Sequence, residues 1–183
     1  MPRFLTLRAA PALLYVWLLL LASPLGAAPA GSDASLRLGF LFNFGKFTSW
    51  PSTELADKDA PVHICLASGD AAMVKALGAL EAGTLAGHRV ETRLLTPQAD
   101  AVGCHLLYLP GTLSAEELDG YLKKVAEQPT LTVSDRSGFV RRGGMIELVY
   151  ADARYQFDVN YLAVKRVNLR LSSSMLRLAR NVE

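Results

Sequence analysis

Histidine and cysteine are the residues of this chain best suited to hold a metal ion. His63 and His105 lie in apolar segments beside Cys65 and Cys104, and the third histidine is His88. Structural zinc sites usually bring their ligands in close pairs such as C-x₂₋₄-C, and that spacing is absent here. We therefore interpret the histidines as structural or surface residues, and we expect neither a metal site nor a bound cofactor.

Hydroxyl and carboxyl groups that follow predicted strands are the next candidates for chemistry. Ser134 and Asp135 follow one apolar segment, and Ser68, Gly69 and Asp70 follow another. Neither serine belongs to a G-x-S-x-G nucleophile elbow, and no histidine can be assigned to either as a general base. We interpret these residues as turn residues and helix caps, and we expect no catalytic site.

The first thirty residues have the layout of a cleavable export signal. An apolar stretch of fourteen residues, 9–22, follows two arginines, and Ala28 and Ala30 supply the small residues that a signal peptidase recognises. A membrane anchor is the weaker alternative, because a spanning helix needs about 20 apolar residues. We predict cleavage near Ala30, so that residues 1–30 are a leader and residues 31–183 are exported.

The charge of the exported part is balanced. Residues 31–183 carry 17 basic and 17 acidic side chains, because the surplus arginines belong to the leader. These 153 residues suit one domain, which is large enough to bury a core without a metal or a disulfide mesh. A chain without a basic excess is unlike proteins that bind nucleic acid or anionic membranes, so we expect no nucleic-acid partner.

Cys65 and Cys104 both lie in the exported part of the chain. An oxidising compartment favours a disulfide between them, and that bridge would close a loop of about 40 residues. Two buried free thiols are the alternative, because cysteine also packs well as a small apolar residue. The two residues by themselves leave both possibilities open.

The exported part opens with a segment, Leu36–Phe47, that is apolar on most sides and predicts a helix. Trp50, followed by a proline, ends it, and Gly45 in its interior suggests a close backbone contact. The phenylalanines on one helix face are Phe40, Phe44 and Phe47. Such a helix is either buried in the core or docked against a partner, and both interpretations stay open here.

The middle of the chain alternates apolar strands with helices. The predicted strands are Val62–Ala67, Val90–Leu95, Cys104–Leu109, Thr130–Val133, Met145–Tyr150 and Arg154–Val159. The predicted helices are Ala71–Leu80, capped by Asp70, and a helix that reaches Ala126 from the capping box of Ser114 and Glu117. This order predicts a single three-layer α/β domain with a mostly parallel sheet flanked by helices on both faces. The last two strands predict an antiparallel hairpin at the sheet edge.

The end of the chain predicts two short helices around an extended piece. Tyr161–Val167 is the first helix, and Asn168 suits the left-handed conformation that ends a helix. Residues 169–171 are predicted to be extended, and Ser172 or Ser173 can cap a final helix.

Three stretches resemble one known family, in the same order along the chain. Residues 41–51, LFNFGKFTSWP, are similar to its opening motif LYNFAKFxxWP, and residues 143–146 match its strand entry GGMI. Residues 157–179 are similar to its ending, FxIN…GLxISSxLLxLA. On these motifs the chain is identified as a member of the YfiR/HmsC-like family of periplasmic proteins, with a resemblance that spans residues 36–180.

The resemblance implies a periplasmic regulatory protein without enzymatic activity. Well-known family members bind the periplasmic domain of an inner-membrane diguanylate cyclase and repress it, which lowers cyclic di-GMP and the output of biofilm and exopolysaccharide. The resemblance also implies that Cys65 pairs with Cys104. The chain departs from the family in lacking a second cysteine pair near the GGMI strand and in having Asn168 where glycine is usual. Whether the protein forms a homodimer is left open.

Two segments are the predicted partner-binding surfaces, because aromatic residues and arginine most often anchor interfaces. Their residues are Phe40, Asn43, Phe44, Phe47 and Trp50 in the first, and Arg170, Ser172, Ser173 and Leu176 in the second. The alternative function is a small-ligand sensor that serves a histidine kinase or a receptor. It predicts a ligand site at the strand ends, formed by Gly69, Asp70, Pro110, Ser134 and Asp135.

Overall fold

The computed structural model of the protein describes residues 31–67, 71–96 and 101–183. The predicted leader, residues 1–30, lies outside these ranges, as do Gly69 and Asp70. Among the described helices none is both long and apolar enough to cross a membrane.

Helices and strands alternate along the described ranges. The helices are α1 (Gly31–Lys46), α2 (Ala71–Leu77), α3 (Ala115–Lys124), α4 (Tyr161–Arg166) and α5 (Ser173–Leu176). The strands are β1 (Thr48–Ser49), β2 (Val62–Ala67), β3 (Thr84–Leu85), β4 (His88–Leu95), β5 (Leu106–Leu109), β6 (Leu131–Ser134), β7 (Ile146–Ala151), β8 (Arg154–Val159), β9 (Arg170–Leu171) and β10 (Asn181–Val182).

Eight of these strands form one sheet, in the order β10-β8-β7-β6-β5-β2-β4-β3. Pairing is parallel from β4 through β2, β5 and β6 to β7. Strands β7 and β8 form the predicted antiparallel hairpin, and β10 pairs in parallel with β8 beyond it. Strand β10 was not predicted from the sequence. Because β10 forms the edge of the sheet, the hairpin that was predicted at the edge lies one strand further in.

The sheet has a core on each face, as expected of three layers. Alternate side chains of a strand point to opposite faces, so Ile64 and Leu66 of β2 pack in the core that includes Leu41 of α1. Cys65 and Ala67 of the same strand pack in the core that includes the buried residues of α3. These two cores confirm the predicted α/β class with helices on both faces.

Several element boundaries differ from the predicted ones. Helix α1 begins at Gly31 rather than Leu36, and α2 gives way to a 3₁₀ turn over Gly78–Ala82. Helix α1 ends at Lys46, where the Thr48 hydroxyl donates to the Phe44 carbonyl at 2.7 Å and satisfies one of the carbonyls left free at a helix end.

Two local predictions about the backbone are confirmed. A Cβ atom on Gly45 would lie 2.7 Å from Cδ1 of Leu85, which is the close approach that a glycine in mid-helix suggested. Asn168 has a φ of 59°, in the left-handed region, directly after α4.

Candidate functional site

The two predicted partner-binding segments meet in a small second sheet, which we call the ribbon. Strand β1 follows α1 and pairs antiparallel with β9, with Thr48 opposite Leu171 and Ser49 opposite Arg170. One further backbone hydrogen bond extends the pairing of β1 with β9: the N–H of Ser172 donates to the Phe47 carbonyl at 2.9 Å. The ribbon thus joins the end of α1 to the start of α5 in one continuous surface.

The ribbon has an inner and an outer face. Thr48 and Leu171 are 5% and 6% exposed, so this pair points into the core. Because side chains alternate along a strand, Phe47, Ser49 and Arg170 point outward, and Phe47 is 42% exposed although it is a large apolar residue. An exposed phenylalanine beside an exposed arginine is a combination typical of interface anchors.

Some of the predicted contact residues lie beneath this surface. Phe44 is buried with its ring edge-on to Phe157 at 5.0 Å. Trp50 is also buried, and its indole N–H donates to the His105 carbonyl at 3.2 Å. Both residues support the ribbon from the core side, so the outward positions are the ones available to a partner.

The exposed side of α1 extends the surface. Asn43 is exposed, and Phe40 is half-buried with its ring centre 5.8 Å from that of Tyr155. A groove of about 480 Å³ lies between α1 and the β7–β8 hairpin, and Phe40 and Tyr155 are among the residues that line it. Leu36, on the rim of that groove, is 56% exposed.

On the C-terminal side the predicted residues belong to the start of α5. The Ser172 hydroxyl accepts a hydrogen bond from the Met175 N–H at 3.2 Å and caps the helix, as predicted. Ser173 is exposed, whereas Leu176 is half-buried against the core. Ser173 is therefore free to meet a partner, and Ser172 mainly holds the backbone turn.

An arginine occupies the strand ends where the alternative ligand site was predicted. Nη1 of Arg37 lies 3.1 Å from Oδ2 of Asp135 and 3.3 Å from the Tyr108 hydroxyl. The other oxygen of Asp135 accepts from the Gly111 N–H at 2.6 Å. Burial raises the pKa of the Tyr108 hydroxyl, and the nearby negative charge of Asp135 raises it further.

Of the other predicted ligand residues, the two that the structure describes are not open to solvent. Pro110 is buried, and Ser134 is buried with its hydroxyl accepting from the Arg136 N–H at 3.0 Å. Asp135 and Ser134 thus both have hydrogen-bond partners within the fold, and Arg37 brings α1 beside Asp135.

The contact of Arg37 with the strand ends was not predicted. The guanidinium also pairs with Asp33 at 2.9 Å, and the Tyr155 hydroxyl donates to that same carboxylate. The one available signal was that Arg37 is the single charged residue in the apolar stretch 34–45. A lone charge on a helix that is buried on most sides requires a partner.

Cys65 and Cys104 form a disulfide with a Cα–Cα distance of 5.9 Å, which confirms the pairing that the resemblance implied. The bridge lies in the core on the α3 side of the sheet.

The histidines near the disulfide contact each other and the backbone. The His63 N–H donates to Nδ1 of His105 at 3.0 Å, and Nη2 of Arg93 lies 2.6 Å from Nε2 of His63. Burial, and after it the charge of the neighbouring His63, lower the pKa of His105 to about 4. Burial and the charge of Arg93 also lower the pKa of His63. Both rings are therefore neutral near pH 7.

Comparison with known proteins supports the fold and the family resemblance. A family model described as YfiR/HmsC-like matches residues 34–180. A solved structure, titled conserved domain protein from Vibrio cholerae O1 biovar El Tor strain N16961, is similar with a TM-score of 0.54 and 13% identity. The similarity covers 83% of this chain and 60% of that one, so this chain spans less than two thirds of its length. At this identity the likeness shows the fold alone. No curated protein matches the chain.

Proposed function

Since this chain belongs to the YfiR/HmsC-like family, we propose that it is a periplasmic regulatory protein that represses an inner-membrane diguanylate cyclase. In this proposal the leader is removed on export, and residues 31–183 bind the periplasmic domain of the cyclase. Repression lowers cyclic di-GMP and with it biofilm and exopolysaccharide output. The protein acts by binding and carries out no reaction of its own.

The ribbon is the observation that carries this proposal. It brings the two segments chosen as partner-binding surfaces into one surface, through the pairing of Ser49 with Arg170. Its outer face presents Phe47, and the adjoining face of α1 presents Asn43 and Phe40. Such a surface offers an aromatic anchor, an arginine and polar side chains around them, which is the composition of a protein interface.

Repression places an energetic requirement on this surface. It must bind the inactive state of the cyclase more tightly than the active state, because equal affinity for both states shifts no population. Driving the cyclase from 99% active to 99% inactive needs about a 10⁴-fold difference in affinity, or about 5.5 kcal/mol. A few well-placed anchors that contact only the inactive state supply that difference, since truncating one such residue costs about 2 kcal/mol or more.

A pair of truncations tests the proposal in cells that lack the gene and are complemented with variants. Phe47→Ala removes the exposed anchor of the ribbon and is expected to raise cyclic di-GMP towards the level of uncomplemented cells. Leu94→Ala is the matched control, because Leu94 is 53% exposed but belongs to β4. Equal repression by both variants, at equal periplasmic protein levels, would show that the ribbon is not the docking surface.

A further inference from the structure

Charge is unevenly distributed in the exported part, although its total is zero. Residues 161–182 contain five basic side chains and no acidic one, whereas residues 31–160 contain twelve basic and sixteen acidic side chains. The basic segment comprises α4, the β9 strand of the ribbon, α5 and β10. A positive region therefore adjoins the proposed docking surface, on a domain that is otherwise negative.

The basic side chains of this segment point away from the core. In α4 the buried residues are Ala163 and Val164, which leaves Lys165 on the outer side of the helix, with its Nζ 5.2 Å from the centre of the Tyr161 ring. In α5 the buried residue is Met175, and Arg177 lies two residues on, towards the opposite side at 100° per residue. Arg170 points outward from the ribbon, opposite Ser49.

Most of these cations pair with no carboxylate in the part of the chain that the structure describes. Elsewhere in the domain Arg37 pairs with Asp135, and Arg142 pairs with Asp119. Within the basic segment Arg180 pairs with Asp158. No carboxylate among the described residues forms an ion pair with the three remaining arginines, which are Arg166, Arg170 and Arg177. Their charge is available to a partner.

We propose that this basic surface, formed by Arg170 on the outer face of the ribbon together with the exposed Lys165 and Arg177, binds a carboxylate-rich patch on the partner protein. The inference rests on the proposed function, and it specifies that the cyclase surface that binds the ribbon is rich in carboxylates. A guanidinium binds a carboxylate through two parallel hydrogen bonds, which gives both strength and orientation.

A protein partner fits these observations better than an anionic lipid surface. The exported part is neutral overall and most of the domain is acidic, so a negatively charged bilayer does not attract the molecule at long range. Between Arg170 and Arg177 lie two exposed serines, Ser173 and Ser174. Hydroxyl groups of this kind offer directed hydrogen bonds to a protein surface, and complementary charges raise the association rate and exclude wrong partners.

Charge reversal in the complemented cells tests the inference. The double variant R170E/R177E places carboxylates against the acidic patch, and we expect each reversal to weaken binding about tenfold. Cyclic di-GMP should then rise to the level of cells without the gene. The charge-conserving variant R170K/R177K should keep repression, and K75E/K123E is the matched control, because Lys75 and Lys123 are exposed cations outside the surface.

The outcomes separate this inference from the proposed function. Loss of repression by Phe47→Ala together with full repression by R170E/R177E would leave the docking proposal standing and overturn the acidic partner. An unchanged cyclic di-GMP level on deletion of the gene would overturn both. If the double reversal fails to accumulate, the single variant Arg177→Glu takes its place, because Arg177 is exposed and lies outside the core.

A vesicle-binding assay on purified residues 31–183 tests the alternative that the basic surface binds anionic lipid. Vesicles of phosphatidylcholine with about 30% phosphatidylglycerol should bind the protein no better than vesicles of phosphatidylcholine alone, because the net charge is zero. Selective binding to the anionic vesicles that R170E/R177E removes would overturn the inference in favour of a membrane surface.

Discussion

His105 shows at the scale of one residue how packing decides a protonation state. Its Nδ1 accepts the His63 N–H at 3.0 Å, so a proton on that nitrogen would remove the bond. The carbonyl of the same residue accepts the Trp50 indole N–H at 3.2 Å. Trp50 directly follows the ribbon strand β1, so the state of His105 is linked through one hydrogen bond to the base of the ribbon.

We predict that the domain of residues 31–183 loses stability when the pH falls from about 6.5 to about 4. The pKa of His105 in the folded protein is about 4, mainly because of burial, whereas the unfolded value is 6.5. Protonation therefore favours the unfolded chain: this contribution to stability is complete above pH 6.5, falls below it and levels off below pH 4. Because the ring is partly exposed and water screens its charge, we expect this contribution to be about 1–2 kcal/mol.

Urea unfolding followed by tryptophan fluorescence measures this effect at each pH, because Trp50 is the only tryptophan after residue 30. The variant His105→Gln cannot take up the proton. The difference between its pH profile and that of the natural protein isolates the histidine from the carboxylates that titrate at lower pH. Parallel profiles for the two proteins between pH 6.5 and 4 would contradict the assignment.

At the scale of elements, the turn after α4 sets where β9 starts and hence the register of the ribbon. The N–H of Leu169 donates to the Val164 carbonyl at 3.2 Å, and the N–H of Asn168 donates to the Lys165 carbonyl at 3.0 Å. These two bonds are the Schellman arrangement that ends a helix with one left-handed residue. Asn168, at φ 59°, is that residue.

We predict opposite effects of two substitutions at this turn. Asn168→Gly should leave stability unchanged or raise it slightly, because glycine adopts positive φ without strain. Asn168→Val should lower the free energy of unfolding by about 1–3 kcal/mol, because a β-branched residue is strained in the left-handed region. Urea unfolding of both variants checks this, with Asn43→Val, at an exposed position of α1, as a control for the valine itself. Equal stability of the Gly and Val variants would rule out the proposed role of the turn.

Elements were predictable from the sequence where the signal is local. The capping box of Ser114 and Glu117, the left-handed Asn168 and the hairpin are each specified by residues within a few positions of one another. The ribbon and β10 are two-residue pairings between distant parts of the chain, such as Thr48 with Leu171, and no local pattern marks them. The early start of α1 was missed because its first turn is small and polar, with apolar periodicity beginning only at Ala34.

Which of the candidate site residues are exposed could not be predicted from the sequence, because burial depends on tertiary packing. Exposed Phe47 and buried Phe44 have the same side chain on the same predicted helix face, and only tertiary packing distinguishes them. The contact of Arg37 with Asp135 joins residues 98 positions apart, so the sequence indicated that Arg37 needs a partner without indicating which.

At the scale of the whole molecule, the disulfide links two adjacent central strands. Cys65 lies within β2, Cys104 lies just before β5, and these strands pair in parallel. The bridge spans 39 positions of sequence and so restricts the unfolded chain more than a short loop would.

We predict that the C65A/C104A variant folds but is less stable by about 4 kcal/mol, the value expected from loop-closure entropy. Alanine keeps the buried site apolar, so the loss reports mainly the bridge. Thiol labelling of the natural protein in denaturant without reductant should find no free cysteine. Labelling of both cysteines under those conditions would show that no bridge forms.

The molecule as a whole is proposed to act by holding a cyclase inactive, and the cellular level of cyclic di-GMP reports that action most directly. It should be measured in cells with the gene deleted, in the same cells carrying the natural gene, and in unmodified cells. The account predicts a rise on deletion and a return to the original level on complementation. The same cyclic di-GMP level in all three would contradict it.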